Sequence, residues 1–450
     1  MNKVGKRAKY LSILIGLFLL CAAVFGHDYF SLASKWVVHP SNGNIYTNGE
    51  LSVAGSVLSS NGSELLRSDE NGLTYAEDYY TRLSTLHVIG DKDDNITTGV
   101  LASKKDKLIG YSLLNGLYGA STSDNRIHLT IDAQLSASAY QSLGNYNGAI
   151  GIYNYETGEI LTMVSKPSYD PYNIPDLNQE DYEGVYINRV MNGLYVPGSI
   201  MKLVTSYAAI ENIPDIYNQT FDCHGGIEVS GKWVKCNGSH GVQTFQQALA
   251  NSCNVAFAQI TLQLQRNTLN EYVQKAKLTD TFSIDGVSTS KGRFNIDHVD
   301  DASFVWSGIG QHTTLVNPMQ YMMFCGAIAN KGVVKMPHYI RSDSFLSTLP
   351  LNDKEKRWMS EDSASKLKAL MRNNTQMTYG DYNFPNLALC AKTGTAEVED
   401  GAPHSWFVGF SDTKDTPIAF VIIVENGAGS LEATSVAANL LPQVVATINK

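Results

Sequence analysis

Hydrophobic and polar positions divide the chain into stretches of different period. From Tyr10 to Gly26 the run "YLSILIGLFLLCAAVFG" carries no charge. As a helix rising about 1.5 Å per residue it spans roughly 25 Å, the short end of what crosses a bilayer. Residues 30–125 change to short alternating runs such as "ELSVAGSVL", broken by Gly, Ser and Asn. That pattern predicts a small β-rich module. The turn-rich "YGASTSDN", Tyr118 to Asn125, is expected to join it to the next region.

From Arg126 the periods lengthen. "IHLTIDAQLSASAYQSL" predicts a short strand, then a helix capped by Asp132. "GAIGIYNYETGEILTMVSKP" predicts a hairpin turning at Tyr155 to Gly158. Near the other end, "HSWFVGFS" and "PIAFVIIVEN" read as strands, and Leu431 to Lys450 as a closing helix. Strands from both ends of this region enclose a mostly helical middle. The expected architecture is α+β, with one antiparallel sheet built from both ends and flanked by helices.

Within the helical middle, Val190 to Ile210 contains a single charged residue, Lys202. Ile200, Met201, Leu203, Val204, Tyr207, Ala208, Ala209 and Ile210 leave almost no polar face, which marks a buried helix. Pro197-Gly198 turns the chain just before it, so Ser199 starts the helix and lies on one face with Lys202 at i+3. Burial lowers a lysine pKa from about 10.4, and a neutral lysine can activate a serine. The pattern Ser-x-x-Lys alone is weak. It recurs at Ser288/Lys291, Ser363/Lys366, Ser365/Lys368 and Ser411/Lys414. The apolar setting singles out Ser199.

Two further motifs come after it in order. Ser252-Cys253-Asn254 is the only Ser-x-Asn after Ser199, 53 residues on. Lys392-Thr393-Gly394-Thr395 comes 140 residues later, just before "HSWFVGF". The set Ser-x-x-Lys, Ser-x-Asn, Lys-Thr-Gly is that of penicillin-binding proteins and class A β-lactamases. With these motifs, the chain resembles a class B penicillin-binding protein, a membrane-anchored peptidoglycan D,D-transpeptidase of penicillin-binding/serine β-lactamase-like fold without a glycosyltransferase module. The likeness extends to "VSKPSYDPY", "ANSCNVAFAQI" and "SGIGQHTTLVNPMQ", where His312 stands at a position that is Gly in many relatives. It covers nearly all of residues 126–450, and residues 30–125 resemble the family's pedestal only loosely.

The resemblance implies a role for each residue. Ser199 is the acylated nucleophile and Lys202 its general base. Ser252 shuttles a proton to the leaving amine, and Asn254 holds the substrate amide. Lys392 favours the neutral form of Lys202 and, with the hydroxyls of Thr393 and Thr395 around Gly394, grips a terminal carboxylate. The backbone N–H groups of Ser199 and Thr395 form the oxyanion hole. Substrates are peptidoglycan stem peptides, β-lactams are covalent inhibitors, and a separate membrane glycosyltransferase supplies the glycan.

Charge and cysteine content refine this picture. Lys3, Lys6, Arg7 and Lys9 precede the apolar run, which places the N-terminus in the cytoplasm. Phe25 spoils the best small-residue cleavage site, so the span is expected to be retained in membrane lipid. The expected organisation is a tail at 1–9, an anchor at 10–26, a pedestal at 30–125 and an extracytoplasmic transpeptidase domain at 126–450. A net charge of −9, with no long basic run beyond the first ten residues, argues against nucleic acid. Of six cysteines only Cys223 and Cys236 lie close in a loop-like stretch, where a hairpin turning at Ser230-Gly231 brings them together, either as a disulfide or as two free thiols. No HExxH or similar histidine spacing occurs, so neither metal nor cofactor is expected. The competing activities are D,D-carboxypeptidase or β-lactamase hydrolysis and β-lactam sensing. No glutamate between Asn254 and Lys392 stands in the Glu-x-x-Leu-Asn setting of a class A β-lactamase.

Overall fold

The computed structural model describes residues 2–39, 41–47, 50–51, 53–111, 125–341, 355–398, 401–428 and 432–448. Most of the Tyr118 to Asn125 connection therefore lies outside the described residues. The N-terminal helix runs Asn2–Val37, well past Gly26. Its segment Lys3–Phe30 is long and apolar enough to cross a membrane, and its most apolar window is wholly unburied within the chain.

The central sheet has five antiparallel strands in the order Leu389–Ala396, His404–Ser411, Ile418–Val424, Gly148–Asn154, Ile160–Lys166. The sheet thus joins the hairpin at one end of the region to the strands at the other. The reason its strands are continuously apolar is visible in Ile418–Val424. Ala419, Val421 and Ile423 pack into one core, and Ile418, Phe420, Ile422 and Val424 into another. Alternate side chains of a strand face opposite sides, so a sheet covered on both faces needs apolar residues at every position.

One face carries the helices Lys202–Asn212, Asn254–Lys275 and Pro318–Ala329. The other carries Ala133–Ser142, capped by Asp132 accepting from Leu135 N–H, and Ala433–Ile448. The N-terminal residues form a four-stranded sheet. It is completed by Arg126–His128, which pairs in parallel with Gly55–Leu58. That region also holds the helix Tyr79–Ile89, and a largely buried Arg82–Asp170 ion pair at 2.8 Å ties it to the larger domain.

The Cys223 segment forms the expected hairpin. Strands Thr220–Val229 and Lys232–Thr244 meet at Ser230 (φ 48°) and Gly231 (φ 76°), the left-handed pair of a tight hairpin turn. Of the two open states, disulfide or two thiols, the structure carries Cys223 and Cys236 as thiols: the register sets Cys223 opposite Gly241, and Cys236 Sγ faces Cys253 Sγ.

Candidate active site

Ser199 sits in a 3₁₀ turn, Gly198–Met201, that leads directly into the helix starting at Lys202. Three contacts fix this turn. Gly198 N–H donates to Gly310 O (2.8 Å), Tyr321 OH to Ile200 O (2.5 Å), and Trp406 Nε1–H to Val196 O (3.0 Å). Two glycines make the approach possible. Gly198 has φ +56°, and a Cβ there would lie 2.2 Å from Thr395 O. Gly310 has φ +100°, and its Cβ would lie 1.9 Å from Gly198 O. Gly310→Ala is therefore expected to push the Ser199 turn off the Lys-Thr-Gly strand. A misplacement near 1 Å slows such chemistry about 100-fold, so penicillin acylation measured by stopped-flow should fall by about that factor and the Tm should drop. Unchanged kinetics would mean that the turn tolerates the shift.

The first two motifs meet at Lys202, and the third joins them at Ser252. Lys202 is completely buried. Its Nζ lies 3.0 Å from Ser199 Oγ, 3.2 Å from Ser252 Oγ, 2.6 Å from Ser252 O and 2.8 Å from Asn254 Oδ1. Burial pulls the Lys202 pKa down to about 7. Lys392 is also fully buried. Its Nζ donates to Ser252 Oγ (3.1 Å) and Thr393 O (3.0 Å). Burial first, and the Lys202 charge second, hold its pKa well below the ordinary lysine value. Ser252 Oγ thus stands between two amines. Ser252 reaches that position through a left-handed backbone, φ 52°, uncommon for a residue with a side chain.

Asn254 works partly inside the protein. Its Nδ2 donates to Lys235 O (2.9 Å), which ties the hairpin to the Ser-x-Asn turn and leaves one N–H for a ligand. Thr393 and Thr395 line a cleft of about 370 Å³ together with Ser199, Ser252 and Asn254. Buried Lys392 stands behind this wall. Gly394 lets the strand pass Pro197 O, which a Cβ would approach to 2.7 Å. One contributor carried no sequence signal. Tyr379, at the end of the turn Thr375–Tyr379, accepts from Thr393 N–H (3.0 Å) and bonds Thr393 Oγ1 (3.1 Å), fixing that hydroxyl's direction. His404 acts structurally, its Nδ1 accepting from Asn426 N–H (3.0 Å). His312 adopts φ 63°, a conformation that glycine takes without strain.

Residues 148–446 match the model of the penicillin binding protein transpeptidase domain. A peptidoglycan D,D-transpeptidase, PbpA, of Mycolicibacterium smegmatis is 27% identical over 378 residues, 74% of each chain. Among solved structures, the D,D-transpeptidase domain of a peptidoglycan glycosyltransferase from Eggerthella lenta superposes with a TM-score of 0.73 at 22% identity, covering 88% of this chain and 99% of that one. The ceftriaxone acyl-enzyme complex of penicillin-binding protein A from Mycobacterium tuberculosis gives 0.71 at 20% identity, covering 88% and 98%. With a buried lysine between two motif serines and more than half its length matched, this chain belongs to the penicillin-binding protein transpeptidase family, as a class B penicillin-binding protein and peptidoglycan D,D-transpeptidase.

Proposed function

We propose that the protein cross-links peptidoglycan stem peptides through an ester on Ser199, and that β-lactams acylate the same oxygen. The observation that carries this reading is the buried Lys202 Nζ, 3.0 Å from Ser199 Oγ and 3.2 Å from Ser252 Oγ. A neutral amine has two N–H groups and one lone pair. Ser252 O and Asn254 Oδ1 are acceptors only, so they take the two donors and leave the lone pair for the Ser199 hydroxyl. A substrate carboxylate held by the Thr393 and Thr395 hydroxyls keeps Lys392 as the ammonium. That charge drives Lys202 toward the neutral form.

The reaction then balances. Ser199 Oγ attacks the carbonyl of the penultimate D-alanine while Lys202 takes its proton. The backbone N–H groups of Ser199 and Thr395 stabilise the oxyanion. The peptide C–N bond breaks, and terminal D-alanine leaves as an amine with a proton relayed through Ser252. An acceptor amine on a second stem attacks the ester, forms the new amide, and Ser199 regains its proton. In this reading the Lys3–Phe30 helix anchors residues 30–450 outside the membrane, with 1–9 in the cytoplasm, 30–125 as a pedestal and 126–450 as the catalytic domain. The glycan comes from a separate membrane glycosyltransferase.

Purified full-length protein, given lipid-linked polymerised glycan and a partner glycosyltransferase, should produce cross-linked stem dimers that disappear under penicillin. Among the described residues lining the cleft, Glu397 is the only carboxylate, placed just beyond the Leu389–Ala396 strand. Trimmed tetrapeptide without dimers would make the protein a carboxypeptidase. Rapid penicillin turnover abolished by Glu397→Gln would make it a β-lactamase.

A further inference from the structure

We propose that Cys223, Cys236, His240 and Cys253 form a tetrahedral zinc site that fastens the Thr220–Thr244 hairpin to the Ser252-Cys253-Asn254 turn. One ligand atom from each of the four lies within 4.8 Å of all the others. Cys236 Sγ is 3.9 Å from Cys253 Sγ and 3.7 Å from His240 Nδ1. Zinc bonds of about 2.3 Å to sulfur and about 2.0 Å to nitrogen set tetrahedral ligand atoms about 3.5–3.8 Å apart. The side chains therefore already stand near the edges of such a tetrahedron.

The backbone is deformed in the way this geometry requires. In a regular strand, residues four apart are separated by about 13 Å. Between Lys235 and Gly241 the register with the opposite strand shifts twice, and Gly241 takes φ +62°. This irregular segment is what brings Cys236 and His240 together. Cys223 comes from the other strand of the hairpin, and Cys253 caps the helix Asn254–Lys275. Three separate pieces of chain thus deliver soft ligands to one point. All three cysteines are buried and His240 is half-buried.

The surroundings suit thiolates. Asn254 N–H points at Cys236 Sγ (3.3 Å) and Ala256 N–H at Cys253 Sγ (3.4 Å). Hydrogen bonds of this kind steady a metal-bound sulfur and tune its charge. Sulfur and imidazole ligands in a tetrahedron select zinc over calcium, magnesium or manganese. On binding, each thiol gives its proton to solvent and its sulfur to the metal. A site with four protein ligands is closed, so the metal holds structure and does not reach substrate. A disulfide would occupy only two of the three sulfurs and leave the imidazole without a role.

The consequence for catalysis is positional. Cys253 lies between Ser252 and Asn254, and Asn254 is bonded to both Lys235 O and Cys236 Sγ. No local pattern announces the site, because the ligand spacings of 13, 4 and 13 residues match no common zinc motif. The expectation of no metal came from histidine spacing alone.

The full-length protein, purified in detergent from zinc-supplemented cells, should contain about one zinc per chain by plasma mass spectrometry. Cys223→Ser and His240→Ala should lower that content, and His240→Cys should restore it. Cobalt substitution should give thiolate-to-cobalt charge-transfer absorption and intense tetrahedral bands in the visible. Removing zinc should slow penicillin acylation about tenfold or more, and adding it back should recover the rate. Two results overturn the proposal. One is substoichiometric metal both as purified and after zinc is added to the reduced protein. The other is a disulfide among Cys223, Cys236 and Cys253 in peptide maps of never-reduced protein. His240→Ala changes a half-buried side chain at the edge of the site, so loss of metal with the Tm retained separates ligand loss from misfolding.

Discussion

Ser199→Ala will take no covalent mass from penicillin, and its stem-dimer product will be absent. The loss should be complete, because none of the other Ser-x-x-Lys serines has the same surroundings. Ser288 and Lys291 are both exposed. Ser363 is buried, but its hydroxyl donates to Glu211 Oε1 (2.5 Å) and Lys366 is paired with Asp362 (2.6 Å). Ser411 donates to Leu387 O (3.0 Å), and Lys414 is exposed. Ser365 is exposed, and its partner Lys368 is bonded to Asp412 (2.9 Å). None of these lysines is desolvated and aimed at its serine. Ser252 does touch both buried amines, yet its carbonyl and hydroxyl are already engaged by Lys202 and Lys392. Ser199 is partly exposed on the cleft and its hydroxyl meets only the Lys202 amine among the described contacts, so the alanine variant should keep its Tm. The measurement is intact mass before and after penicillin, then peptide mapping. An adduct in Ser199→Ala that maps to Ser252, Ser288, Ser363, Ser365 or Ser411 would move the nucleophile there.

Much of this site could be read from the chain, for physical reasons. Lys202 is legible because a lone cation in an apolar helix has no solvent-facing explanation. The central sheet is legible because strands covered on both faces must be apolar throughout, as in Ile418–Val424. Contacts between distant segments are another matter. Tyr379 reaches Thr393 only after the turn at Thr375–Tyr379 lies against the Leu389–Ala396 strand, and no local pattern encodes that. The pairing of Arg126–His128 with Gly55–Leu58 is likewise a tertiary event, since three-residue strands carry almost no period. The N-terminal helix outruns its apolar stretch. Residues 27–37 mix polar and apolar side chains, so hydropathy marks where the lipid-compatible part stops, while helical hydrogen bonding continues to Val37. The cysteine–histidine cluster was hidden for a similar reason: its ligands meet through an irregular hairpin and a helix cap.

The second large effect concerns the base. Acylation by penicillin should rise about tenfold per pH unit below an inflection near pH 7 and level off above it. Only the neutral Lys202 amine can take the Ser199 proton, so the rate climbs as the ammonium is lost. Burial, by penalising that ammonium, brings the Lys202 pKa down to about 7. An ordinary lysine would put the rise near 10.4. Because Lys202 and Lys392 share Ser252 Oγ, the inflection belongs to the pair, and a substrate carboxylate that holds Lys392 protonated moves the pair's proton onto Lys392. Lys202→Ala should slow acylation by about 10²–10⁴ and remove the inflection, since it deletes the base. Alanine also removes the donors to Ser252 O and Asn254 Oδ1, which by itself would disturb the site. Lys202→Arg separates the two causes. It keeps a cation that can donate to those oxygens, but the guanidinium does not lose its proton in this pH range. If Lys202 is the base, arginine is as slow as alanine. If Lys202 only holds Ser252 and Asn254 in place, arginine recovers much of the rate and the pH profile stays flat, which would assign proton removal from Ser199 to another group.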